Sequence, residues 1–154
     1  MAAAIAVFPD MHVESFRRDS FFGKFCNQVR AIRVLLVDDS AAFLDAAVRF
    51  LNSLPGVEIV ARAASAAEGL ARAAALRPDL VLMDVVMPGM NGLMAVRLVK
   101  QGVDAPKTVI LTLHDTEAYR SAAKAAGADG FIAKVDFVVE LPRLLESLFL
   151  GWRR

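Results

Sequence analysis

Five short runs of mostly apolar residues, at 32–37, 57–63, 80–83, 108–113 and 130–133, constrain this chain more than any other feature. A strand with one wet face alternates polar and apolar residues; a strand covered on both faces does not need to. Between the runs lie stretches with helical spacing: 41–54, 65–77, from Asn91 or Gly92 to about Gln101, 116–126, and a last one capped by Asp136 and reaching about Leu150. Ser65 and Glu68 stand at capping-box spacing, and Gly127 is placed as a helix stop. Pro142 predicts that the regular part of the last helix begins only near it, because proline is best tolerated at the first helical position. Strand and helix thus alternate five times, which predicts an α/β, doubly wound, five-stranded parallel sheet. Ligands of such sheets bind beyond the carboxyl ends of the strands.

The residues at those ends carry chemistry. The first strand delivers Asp38 and Asp39, the third Asp84, the fourth Thr112 and the fifth Lys134. Taken singly, each has an ordinary reading: Asp38-Asp39 as a helix cap, Asp84 as a turn residue, Thr112 and Lys134 as strand and surface residues. Together they are hard to obtain by chance. Two like charges about 4 Å apart repel by roughly 4 kcal/mol at an effective dielectric near 20. Three converging carboxylates therefore ask for a cation or for shifted pKa values. An all-oxygen donor set suits Mg²⁺ best. A lysine and a hydroxyl supply what an added phosphoryl group needs, and a carboxylate is a known nucleophile toward phosphorus.

The segments VLLVDDS (34–40), LVLMDVVMPGMNG (80–92), VILTLHD (109–115) and GADGFIAK (127–134) resemble the response-regulator receiver family over about residues 30–150. The last two look most like the receivers that usually precede a LuxR-type helix-turn-helix. The resemblance implies a (βα)5 flavodoxin-like fold with strand order 2-1-3-4-5. It implies Asp84 as phosphoacceptor, and Asp38, Asp39, Asp84 and the backbone carbonyl of Val86 as ligands of Mg²⁺ (or Mn²⁺). Lys134 would pair with the phosphoryl group, and Thr112 and Phe131 would form the switch pair. A histidine kinase or histidine phosphotransferase would be the donor, and a downstream effector protein the recipient of the signal. The domain would be no enzyme beyond its own autophosphorylation and autodephosphorylation. Departures are few: Val135 follows the lysine where proline is frequent, Asn91 stands where Asp is frequent, and Leu113 is bulkier than usual. His114 falls where it can reach the mouth of the site.

Composition narrows the rest. With 18 basic and 17 acidic residues, the chain has no basic footprint for nucleic acid or a membrane surface. No apolar run approaches the roughly 18 residues of a spanning helix, and Met1 to Phe8 lacks the marks of a signal peptide. The single cysteine, Cys26, excludes an internal disulfide and fits a cytoplasmic protein. Residues 31–150 are the expected receiver, 151–154 a tail, and 1–30 an extension holding Phe8, Phe16, Phe21, Phe22 and Phe25. That extension reads as an unstructured tail, an added helix with Phe22, Phe25, Cys26 and Val29 on one face, or a partner-binding segment. Nothing after Leu150 carries a second-domain motif, so a stand-alone receiver is expected, with the front part of a longer DNA-binding regulator as the alternative. A pseudo-receiver that only binds partners is a further class, disfavoured by the intact acidic set. Leu141, Leu144, Leu145, Leu148 and Phe149 have core spacing that leaves a homodimer face open.

Overall fold

The computed structural model describes residues 30–152 of the chain; the Phe-rich extension with Cys26, and Arg153 and Arg154, lie outside the described residues. The elements run β1 (Ile32–Val37), α1 (Ala41–Ser53), β2 (Val57–Ala63), α2 (Ala66–Leu76), β3 (Leu80–Asp84), α3 (Gly92–Lys100), β4 (Lys107–Thr112), α4 (Glu117–Ala126), β5 (Gly130–Ala133), a 3-10 turn (Lys134–Asp136) and α5 (Phe137–Leu148). The strands form one sheet in the order β2-β1-β3-β4-β5, and every neighbouring pair is parallel.

The pleat explains why the strands read as continuous apolar runs. Val34 and Leu36, Leu80 and Leu82, and Val109 and Leu111 face one side, where α1 adds Leu44 and Leu51 and α5 adds Phe137, Leu141 and Leu145. Leu35 and Val37, Val81 and Met83, and Ile110 face the other, against residues of α2, α3 and α4. The central strands β1, β3 and β4 are covered on both faces and read as nearly continuous apolar runs, whereas the edge strand β2 keeps Glu58 and Arg62 exposed. The helices start where the sequence supplies an acceptor: Ser40, Ser65, Asn91 and Thr116 each accept from the backbone N–H three residues on. Glu68 returns a bond to the N–H of Ala64, one residue before the cap.

Expectations about the start and cap of the last helix and the end of β4 are corrected. Helix α5 begins at Phe137 and runs through Pro142. Phe137 and Leu141 are both buried, so their packing holds the first turn in place; the proline forgoes only the bond to the carbonyl of Val138, beside an exposed side chain. Asp136 occupies the cap position of that helix without making a side-chain cap bond. Strand β4 ends at Thr112, which pairs with Ala133, and Leu113 is exposed beyond it. Trp152, within the expected tail, is buried against the α1–α5 side, and its indole N–H donates to the Pro55 carbonyl at 3.0 Å. Leu141 and Leu145 are buried in that core, as their spacing implied, and Leu144, Leu148 and Phe149 pack against it partly buried. Among the described residues no helix is long and apolar enough to cross a membrane.

Candidate functional site

The carboxyl ends of β1, β3 and β5 release their chains at one edge of the sheet. Beyond β1 the chain is still paired, the Asp38 N–H donating to the Ala63 carbonyl at 3.0 Å. The Asp38 side chain is therefore buried, and its Oδ1 accepts from the Ser40 N–H at 2.8 Å. Asp39, one residue on, is exposed at the rim. Asp84 is the last residue of β3, opposite Leu111, and is buried. Carboxylate oxygens of Asp38, Asp39 and Asp84 all lie within 4.8 Å of one another.

Among the described residues one cation is paired with this cluster. Lys134 leaves β5 into the 3-10 turn, and its ammonium lies 2.6 Å from Asp38 Oδ2 and 3.3 Å from Asp84 Oδ1, with the side chain only 7% exposed. The close approach to Asp38 is an ion pair outside hydrogen-bonding geometry, so the buried Oδ2 is left without a hydrogen bond. Three carboxylates against one lysine leave an excess of two negative charges. Burial, reinforced by the Asp38 charge and only partly offset by Lys134, pushes the Asp84 carboxyl up from its ordinary 3.8 to about 6. An unbonded buried carboxylate oxygen beside two more hard oxygen donors fits a small divalent cation.

A cleft of about 180 Å³ opens above the cluster, lined by Asp39, Ser40, Asp84, Val86, Leu113, His114 and Lys134. Val86 lines the cleft and is exposed. Thr112 is buried below; its hydroxyl donates to the His114 carbonyl at 3.2 Å and accepts the His114 N–H at 3.0 Å. Phe131 is half-buried two residues before Ala133, and the Arg120 guanidinium lies 4.8 Å from its ring centroid. Arg120 is itself held by a two-pronged bond to Asp115. The structure thus gathers Asp38, Asp39, Asp84, Val86 and Lys134 at one opening, with Thr112 and Phe131 behind it.

These elements and this edge are what a known family shares. The profile of the response regulator receiver domain matches residues 34–146. The chain belongs to the response regulator receiver family. The response regulator GacA of Pseudomonas viridiflava is 35% identical to this receiver over 122 residues, 79% of this chain and 57% of its own length. The transcriptional regulatory protein LiaR of Bacillus subtilis is 34% identical over 122 residues, 78% of this chain and 57% of its own. The receiver therefore spans a little over half the length of the curated relatives it matches. Among solved structures, a LuxR-family two-component response regulator from Aurantimonas sp. SI85-9A1 aligns with a TM-score of 0.73 at 33% identity, over 80% of this chain and 88% of that one. The response regulator domain of CheB from Thermotoga maritima aligns with a TM-score of 0.67 at 30% identity, over 81% and 98%.

Two residues at this edge escaped the reading of the sequence. A Cβ on Gly92 would stand 1.8 Å from the Asp84 carbonyl oxygen, so only glycine lets α3 start this close to the end of β3. The Gly92 N–H donates to the Val85 carbonyl at 2.9 Å and closes the intervening loop. Phe43, legible only as one apolar residue of α1, lays its ring 4.6 Å from the Lys134 ammonium. The glycine of an MNG segment carries a local signal, since Asn91 caps the helix it opens; the Phe43 contact joins two distant segments and carries none.

Proposed function

We propose that this receiver accepts a phosphoryl group on Asp84 from a histidine kinase or histidine phosphotransferase and passes the signal to a partner protein. The observation that carries the proposal is the excess of carboxylates over cations at a buried sheet edge, with one Asp38 oxygen unbonded. Asp38, Asp39, Asp84 and the Val86 carbonyl would hold Mg²⁺ (or Mn²⁺), which supplies positive charge against phosphoryl oxygens when bound. An Asp84 carboxylate oxygen attacks phosphorus as the donor's phosphorus–nitrogen bond breaks, and the electron pair leaves on the donor imidazole. Lys134 needs to move little, because its ammonium already lies between Asp38 and Asp84. Positioning and charge neutralisation supply most of the rate in such transfers.

Thr112 and Phe131 are the proposed switch. The Thr112 hydroxyl exchanges both its bonds with the His114 backbone. Turning toward the phosphoryl oxygens would release that loop and open the space behind it to the Phe131 ring. The partner would then read the altered face of α4 and β5.

Incubation with acetyl phosphate and Mg²⁺ tests the proposal. One phosphoryl group is expected per chain, with no uptake when chelator replaces Mg²⁺ and none in Asp84→Ala. Equal uptake by Asp84→Ala, or none by the unaltered protein, would sink the assignment and favour a receiver that only binds partners.

A further inference from the structure

The Lys134 ammonium sits between two carboxylates, and electrostatics alone does not decide which one it serves. It is closer to Asp38 Oδ2, at 2.6 Å, than to Asp84 Oδ1, at 3.3 Å. A lysine stem is long and rotatable, and its head is a point charge without the fixed fork of arginine. Something else must limit where the ammonium goes. A further neighbour is aromatic: Nζ lies 4.6 Å from the Phe43 ring centroid, inside the range of a cation–π contact.

That ring is held on several sides. Phe43 lies in the first turn of α1, and its N–H donates to the Ser40 hydroxyl, so its backbone is pinned four residues beyond Asp39. Its ring meets Phe137 edge-on at 5.5 Å and 66°. Phe137 in turn meets Phe50 at 5.7 Å and 68°, and is itself buried in the α1–α5 core. Phe137 follows Lys134 by three residues, so the turn that carries the lysine also carries the support of its platform. Aromatic pairs of this geometry add to area burial and resist rotation of the rings.

We infer that Phe43 is a positioning residue for phosphoryl transfer, its ring face keeping the Lys134 ammonium beside Asp84. The inference rests on the proposed phosphorylation of Asp84. A π face suits the task because it attracts the ammonium without adding a formal charge. A further carboxylate would hold the lysine too, and would deepen the repulsion around Asp84 and compete with the incoming phosphoryl group. A leucine would fill the space and exert no pull. The contact is sheltered, since the Lys134 side chain is almost fully buried, and sheltered cation–π contacts are the stronger ones.

Fluorinated phenylalanines at position 43 test this, because fluorine withdraws electron density from the ring face while nearly preserving its shape. The readout is the maximal rate of phosphorylation by acetyl phosphate with Mg²⁺, and the donor concentration giving half of it. A stepwise fall is expected from phenylalanine through the monofluoro and difluoro to the trifluoro ring, reaching roughly tenfold. The half-saturating donor concentration and the unfolding temperature are expected to stay constant. Phe43→Leu is expected to fall by a similar factor, again in the maximal rate. A flat fluorine series overturns the inference even if Phe43→Leu is slow, since the ring would then act only by filling space. Failure of the unaltered protein to take up phosphate is a different result, which removes the proposed function itself and this inference with it.

Discussion

At the amino end of the sheet Asp79 and Asp129 each accept from at least two donors, whereas at the carboxyl end Asp38 and Asp84 share Lys134 and Asp39 stands exposed at the rim. Asp79 accepts from Arg30 at 2.8 Å and from the Arg33 N–H at 2.9 Å. Its own N–H and carbonyl reach Arg33 and Lys107, tying β1, β3 and β4 together at their starts. Asp129 accepts from the Lys100 ammonium at 2.5 Å and the Thr108 N–H at 2.8 Å, with Lys107 a further 3.5 Å pair. Burial alone would raise the Asp129 carboxyl, but Lys100, the Thr108 N–H and Lys107 outweigh it and hold it below the ordinary range. Asp84 goes the other way, to about 6. One residue type thus stands in opposite surroundings at the two ends: where donors outweigh burial its carboxyl is lowered and it fastens strands, and where they fall short its carboxyl is raised.

The contrast is broken most sharply by removing one acid from each end. Asp84→Asn is expected to lose phosphorylation entirely and yet to fold more stably, by about 2–3 kcal/mol in metal-free buffer at pH 7. The folded protein holds the Asp84 proton more tightly than the unfolded chain does, so ionising it costs stability. That cost is absent below the ordinary 3.8 and complete above about 6, and urea titrations across this window in chelator should show the advantage of Asp84→Asn growing with pH. Gly92→Ala forces a methyl against the Asp84 carbonyl and should cost about 3 kcal/mol, with slowed phosphorylation, as read by thermal unfolding and acetyl phosphate kinetics. Asp129→Ala leaves the Thr108 N–H without its side-chain acceptor and Lys100 with only the Pro106 carbonyl, at 2.9 Å. It should lose about 2 kcal/mol in urea titration and keep its phosphorylation rate. The Asp129 contribution is present above the unfolded carboxylate pKa and disappears as pH falls through the lower folded one, a sign opposite to that of Asp84. Asp45→Ala, which breaks an exposed pair with Arg62, should change neither stability nor phosphorylation measurably.

Much of this contrast was legible before any coordinates. The strands were readable because covering both faces removes polar residues from them, and each strand points its last residue at one edge. Asp38, Asp84 and Lys134 meet there as their order in the chain implied. What escaped depends on distance between segments. Nothing local marks Phe43 as the neighbour of Lys134, or Trp152 as a partner of Pro55. Pro142 misled because a proline rule for isolated helices ignores Phe137 and Leu141, whose burial holds the turn ahead of it. Asp79 and Asp129 were equally visible as letters, and only the structure shows the donors they accept from.

The unsatisfied end of the sheet is expected to take the phosphoryl group and the satisfied end to take none. Borohydride reduction converts an aspartyl phosphate to homoserine, which peptide mapping locates by mass. After incubation with acetyl phosphate and Mg²⁺, homoserine is expected at position 84 alone. Homoserine at position 79 or 129, or at 38 or 39 in place of 84, would contradict the claim.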